Sequence, residues 1–501
     1  MKRAFLLAAL LAGACGAPTA SPSSTSAQRT AAAIEAPAAM GTNGAAVPAL
    51  HWTSCHQDFL CAAAAVPVSY RDPQGPSLNL AVIKLPATDP GHRIGSLFVN
   101  FGGPGTDGVS ELTRFGARYP DELRARFDLV SFDPRGIGGS SPISCPGAEN
   151  TVLGSPLRPE QHDTFYATSA RAGQACAASS GKLLDHLSSA NVARDMDLLR
   201  QATGDPKLNF LGYSYGTYLG GTYANIFPAN VRAMTLDGTL DLVANATGKP
   251  GDENKPVDVR ADTARAQMDE LGVFFDECAK AACAFSGGDQ RKKFDDIVAK
   301  LTRGRVAGTN LAGFLKTLES AFYQFGRWKR LGETLNTLAA ATSPGPAAPV
   351  LDPYLPTHST GYLAVQCVDS QNPQEPAVYD RLAVTEQTRV PYFALGAVFN
   401  MAQCIGWPGH DDDRYLGPWN RQRQNPILVV NNRHDPATPL HNAQSTVDEL
   451  GDGRLLVVES FGHTSLNVHS ACASAAMARY FVDLAAPPSG TTCAPDARPF
   501  G

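Results

Sequence analysis

Three residue types at three places in this chain could together perform acyl transfer. Ser214 stands between Gly212 and Gly216 in LGYSYGTYLG, Asp435 lies in NNRHDPATP, and His463 lies in SFGHTS. A serine hydroxyl is a weak nucleophile until a base takes its proton, and an imidazole serves once a carboxylate orients it. Small residues on both sides of the serine permit a sharp strand-to-helix turn that exposes its Oγ. The tetrahedral intermediate then needs backbone N–H donors for its oxyanion. Tyr215, the residue after the serine, supplies one. The glycine loop FGGPGTDG at 101–108 supplies the other, with Gly103 favoured and Gly102 the alternative. This chemistry calls for no metal and no organic cofactor.

Each residue also has a plainer reading. Ser214 could cap the following helix, and Asp435 could open the turn before Pro436. His434 and His441 fall on the wrong loop for a base, and His469 lies on the approach to the last helix. Gly103-Pro-Gly105-Thr-Asp-Gly108 also fits a dinucleotide fingerprint, with Asp133 closing the next strand as the ribose-binding acid. That reading leaves Ser214, Asp435 and His463 without a role, so the hydrolytic one is preferred. A binding protein that keeps the fold without turnover is the alternative of another class; it would be expected to lack one of the three residues.

The elements that must position these residues follow from hydrophobic pattern. VPVSY and LNLAVIKLPA read as an antiparallel start, and IGSLFVNF (94–101) and FDLVSFD (127–133) as short buried strands. ANVARDMDLLRQATG (190–204) is an amphipathic helix, followed by the strand KLNFLGYS and then VRAMTLDG (231–238). Strand alternating with helix predicts a mostly parallel α/β sheet. From about 242 to 414 the pattern is helical, and strands resume with NPILVVNN (425–432) and GRLLVVES (453–460). Asp435 and His463 each follow one of these late strands. The expected organisation is a signal peptide over 1–14, an Ala/Pro/Ser/Thr-rich disordered tether over 15–48, and a core over 49–241. A helical lid over 242–414 and the rest of the core over 415–501 complete it.

Composition narrows the setting. Of 501 residues, 43% are hydrophobic and 18% charged, and the net charge of −5 gives no reason to expect nucleic acid as a partner. Met1-Lys2-Arg3 followed by AFLLAALLAGA reads as an export signal. Cleavage after Ala14 would leave Cys15 first, as in a bacterial lipoprotein attached to the membrane, although Ala12 stands where such signals usually carry Leu. The other ten of the eleven cysteines suit disulfides in an oxidising compartment. Local spacing suggests Cys55–Cys61 and Cys278–Cys283, with Cys145–Cys176, Cys367–Cys404 and Cys472–Cys493 as the simplest remaining pairs. A secreted, periplasmic or envelope-bound monomer is expected.

The motifs NFGGPG, SFDPRGIGGSSPISC, LGYSYGTYLG, HDPATPLHNA and SFGHTS, in that order, resemble the exported α/β-hydrolases of the tripeptidyl and prolyl aminopeptidase group. The opening HWTSCHQDFLCAAAAVPVSY and the closing GTTCAPDARPF look like that group's ends, so the resemblance spans roughly residues 50 to 500. It implies an α/β-hydrolase core with a helical lid, and a serine peptidase that removes short units from free peptide N-termini. By position it makes Ser214 the nucleophile, Asp435 the orienting acid and His463 the base, and Arg135 a structural tie. The chain departs from the group at Thr106-Asp107-Gly108, where serine and glycine are frequent. No motif marks the group that binds a substrate amine; Asp252, Glu253, Asp269, Glu270, Glu319 and Asp369 are candidates. A carboxylesterase or lipase on the same scaffold is the rival reading, since the triad does not separate esters from amides.

Overall fold

The structure, a computed structural model, describes residues 41–146, 155–341 and 360–501. The expected signal peptide, its cleavage site and Cys15 lie outside the described residues. Ten strands form one sheet: β1 (Thr53–Cys55), β2 (Phe59–Pro67), β3 (Ser77–Leu85), β4 (Gly95–Asn100), β5 (Phe127–Phe132), β6 (Leu208–Tyr213), β7 (Val231–Asp237), β8 (Leu428–His434), β9 (Arg454–Phe461) and β10 (Thr491–Cys493). Their order is β1-β2-β3-β5-β4-β6-β7-β8-β9-β10. The first three strands join antiparallel, as does β3 with β5, and every pairing from β5 to β10 is parallel. This is the α/β-hydrolase fold.

The central strands GSLFVN, FDLVSF and LNFLGY are buried along their whole length, as strands covered on both faces must be. Alternation still sorts their side chains. Leu97, Leu129 and Leu211 enter one apolar cluster, while their neighbours Phe98, Val130 and Phe210 enter another. Successive side chains point to opposite faces of a sheet, so the two clusters are the cores above and below it.

Between β7 and β8 the chain leaves the sheet for a run of helices, from Leu242–Ala246 to Ala394–Phe399, closed by the 3-10 turn Asn400–Cys404. These helices carry a core of their own around Phe274, Leu318, Phe322 and Trp328. Phe461 of β9 and Val468 join that core, so the helical segment rests on the loop that carries His463. The five disulfides are Cys55–Cys61, Cys145–Cys176, Cys278–Cys283, Cys367–Cys404 and Cys472–Cys493, the pairs that spacing suggested.

The sheet differs from the sequence pattern at its edges. The second strand is FLCAAAAVP rather than VPVSY, and its alanines pair with Ala81, Val82 and their neighbours on β3. Alanine is a poor strand former, so a partner strand rather than local propensity places it there. The three-residue strands β1 and β10 carry no periodic signal; they form because β2 and β9 offer them an edge.

Candidate active site

Ser214 occupies the turn between β6 and the helix Tyr215–Ile226. Its backbone has φ 53° and ψ −125°, a conformation that costs a non-glycine residue about 1–3 kcal/mol. The surroundings hold it there. Its N–H donates to Asp237 O at 2.9 Å, and its carbonyl accepts from Thr217 N at 2.8 Å. The flanking glycines are required by contact: a Cβ on Gly212 would stand 2.3 Å from Gly216 O, and one on Gly216 would stand 2.7 Å from Asn100 Oδ1. Although Ser214 sits at the N-cap position, its side chain makes no capping bond. The hydroxyl is not spent on the helix.

Asp435 and His463 are directly paired. His463 Nδ1 lies 2.9 Å from both carboxylate oxygens of Asp435, which places the ring proton on Nδ1 and leaves Nε2 as the basic nitrogen. Asp435 also accepts from Ala437 N at 2.9 Å and Thr438 N at 2.8 Å. Asp435 thus both organises its own turn and pairs with the imidazole. Both residues are buried, with 2% and 4% of their surface exposed. Tyr323, from the helical segment, lays its ring against the imidazole at 5.0 Å, and its carbonyl accepts the His463 N–H at 3.1 Å. Sequence reasoning did not single out Tyr323, because nothing local marks a helix-end tyrosine as the cover of a distant histidine.

The loop after β4 reaches the same place. Gly102 has φ 86°, and a Cβ there would lie 2.5 Å from Tyr213 O and 2.9 Å from Ser214 Cβ. Only glycine fits. Its N–H is taken by Asn100 Oδ1 at 3.0 Å, and the next residue, the exposed Gly103, lines the cleft beside Ser214. Tyr215 N opens a helix, where first-turn N–H groups have no intrahelical acceptor. The departure at Thr106-Asp107-Gly108 also has a local cause. Asp107 caps the helix Gly108–Phe115 by accepting from Ser110 N at 3.0 Å.

Other candidates separate cleanly. Asp133, the acid of the dinucleotide reading, accepts Val109 N and Gly139 N and is 3% exposed; it organises this loop. Arg135 is fully buried and bonds Asp195, Val68 O, Pro67 O and His186 O, a tie between loops. His469 pairs with the exposed Asp496, His434 stacks on Phe461, and His441 is exposed.

A cleft of about 990 Å³, its open side included, runs from Gly103, Ser214 and Tyr215 into the helical segment. Among the acids considered from sequence, Glu319 lines it. Asp252 is paired with Lys255, Glu253 and Asp269 are exposed, and burial beside Asp435 pushes the Glu270 carboxyl well above its usual range. Asp369 is 1% exposed and accepts from Ser189 N and the Tyr215 hydroxyl, burial raising it to about 7. Asp258, not singled out by sequence, lines the cleft and accepts from Asn400 Nδ2 at 2.7 Å. Burial pushes it up to about 6. Among the described residues, no lysine or arginine lines it.

Comparison with known proteins agrees with the fold and chemistry. Residues 102–279 match the family described as alpha/beta hydrolase fold, and residues 391–493 match the family described as TAP-like protein. Serine protease Hip1 of Mycobacterium tuberculosis is 30% identical, over 89% of this chain and 91% of its own. Carboxylesterase B of the same organism is 31% identical, over 93% and 94%. The tripeptidyl aminopeptidase of Streptomyces lividans is 28% identical, over 99% and 96%. The chain belongs to the α/β-hydrolase family with a TAP-like C-terminal region, and it is a serine hydrolase.

Proposed function

We propose that this serine hydrolase is an exported aminopeptidase that releases short units from free peptide N-termini through an acyl-enzyme. His463 Nε2 takes the proton of Ser214 as Oγ bonds to the substrate carbonyl carbon, and Asp435 stabilises the imidazolium. The N–H groups of Gly103 and Tyr215 hold the oxyanion. The intermediate collapses, His463 gives its proton to the leaving amine, and a water, deprotonated by the same nitrogen, releases the acyl product and restores Ser214. The helical segment acts as the lid.

One observation carries the choice of substrate. Among the described residues, the cleft beside Ser214 presents Asp258 and Glu319 and no lysine or arginine, a field that favours a cationic ligand such as a peptide's α-ammonium. Export rests on the basic and apolar N-terminal stretch and on the five disulfides, which suit an oxidising compartment. The test uses aminoacyl- and tripeptidyl-aminomethylcoumarins with free or acetylated N-termini, beside a nitrophenyl ester. Turnover that requires the free amine is expected. Ester turnover indifferent to the amine would move the protein to the esterases. Ser214→Ala should lower turnover on the order of 10⁶-fold with an unchanged unfolding temperature.

A further inference from the structure

Asp237 ends β7 and is fully buried, and the acyl-transfer steps above make no use of it. Its place between the catalytic loops is defined by direct contacts. Its carbonyl accepts the Ser214 N–H at 2.9 Å. Its carboxylate accepts the Ser465 N–H, at 3.1 Å and 3.3 Å to the two oxygens, and also the Ser465 hydroxyl. Ser465 lies two residues beyond His463. The next residue, Gly238, abuts the base itself: a Cβ there would stand 3.2 Å from His463 Cε1. One residue therefore bonds the nucleophile's turn through its main chain and the base's loop through its side chain. Proton transfer between a serine and a histidine tolerates only small errors of placement, so such a clamp bears on rate.

The carboxyl is also in electrostatic reach of His463 and Asp435. The buried Tyr119 and Tyr213 are within its electrostatic reach, and no lysine or arginine is ion-paired with it among the described residues. Burial pushes it up to about 6, against the pull of the two Ser465 bonds and of His463. Around His463 the remaining charged or titratable neighbours are Asp435, with the buried Glu270 in electrostatic reach of that carboxylate, and the Tyr323 ring. Asp237 is thus a second acid facing the imidazole, on a different strand from Asp435.

We propose that Asp237 is a positioning residue for the Ser214–His463 pair: it clamps the two loops together and, when ionised, holds a second negative charge within reach of His463. The proposal rests on the assignment of Ser214 and His463, and its test separates the two. Asp237→Asn keeps one acceptor oxygen for the Ser465 N–H but removes the charge. Expected are a 10- to 100-fold fall in kcat, a KM within about threefold of wild type, and an acid limb of the kcat/KM profile moved to lower pH. The sign follows from charge: removing an anion beside an imidazole disfavours its protonated form, so the base is free at lower pH. Ser465→Ala weakens the clamp and keeps the charge, so its kcat should fall with the acid limb unmoved. A purely structural role would make the two variants alike in pH profile. An unmoved acid limb in Asp237→Asn overturns the proposal whatever happens to kcat. Should that variant not fold, an unchanged kcat in Ser465→Ala overturns it instead. Failure of a fluorophosphonate probe to label Ser214 in the wild type would overturn the underlying catalytic assignment, a separate result.

Discussion

Replacing Asp369 by asparagine should change how stability depends on pH, and the structure sets both sign and size. Asp369, on the helix Thr360–Asp369, accepts the Ser189 N–H at 2.9 Å and 3.0 Å and the Tyr215 hydroxyl, so it ties the helical segment to the residue after the nucleophile. It is 1% exposed, and burial raises its carboxyl to about 7. In the unfolded chain the same group titrates near 4. The native state thus holds this proton more tightly. Its contribution to stability is complete below about pH 4 and is lost as pH rises through about 7. A displacement of that size corresponds to a loss on the order of 4 kcal/mol across the window. Asparagine has no such proton to lose, but it offers a single acceptor oxygen in place of the carboxylate, at a cost of about 1–3 kcal/mol. The variant should therefore be less stable than wild type at pH 4 and should gain on it steadily up to pH 8. Urea unfolding at pH 4, 5, 6, 7 and 8, fitted for each protein, reads this directly. Parallel curves for the two proteins would refute the reasoning, because they would mean that Asp369 titrates alike folded and unfolded.

Gly102→Ala should abolish turnover of a nitrophenyl ester while leaving most of the fold intact, since the new methyl would press on Ser214 Cβ and Tyr213 O. Near-normal kcat would show that the glycine loop does not pack against the nucleophile's turn. Removing the Cys367–Cys404 bridge by Cys367→Ser with Cys404→Ser opens a 37-residue loop, and should cost about 4 kcal/mol in urea unfolding. A change below about 1 kcal/mol would mean that the unfolded chain already restricts this loop without the bridge.

The candidate site was legible in the sequence because its residues sit at element boundaries that the hydrophobic pattern marks. Ser214 follows the apolar run LNFLGY, and Asp435 and His463 follow the runs LVVNN and RLLVVES; each run is short and mostly apolar, the pattern expected of a strand in a covered sheet. Glycines Gly212 and Gly216 were readable for the same reason, since a sharp turn demands small neighbours. Close spacing pointed to Cys55–Cys61 and Cys278–Cys283, while the other three pairs were only the simplest choice left and needed the structure to show them. What the pattern did not carry was which side chains face the cleft from the helical segment. Asp258 and Glu319 look like any helix-surface acids in one dimension, and Asp369, which stood among the candidates, turns inward to hold Tyr215. Helical periodicity gives a face but not the neighbour that face meets. Tyr323 over His463 and Asp237 between the two catalytic loops depend on strands and helices more than a hundred residues apart. The residue types, their order and the strand ends that carry them were therefore determined by local sequence. The pairing of Asp435 with His463, the exclusion of Gly102 N–H by Asn100, and the charge of the cleft were decided only by tertiary packing, because each is a distance between segments that no local interaction sets.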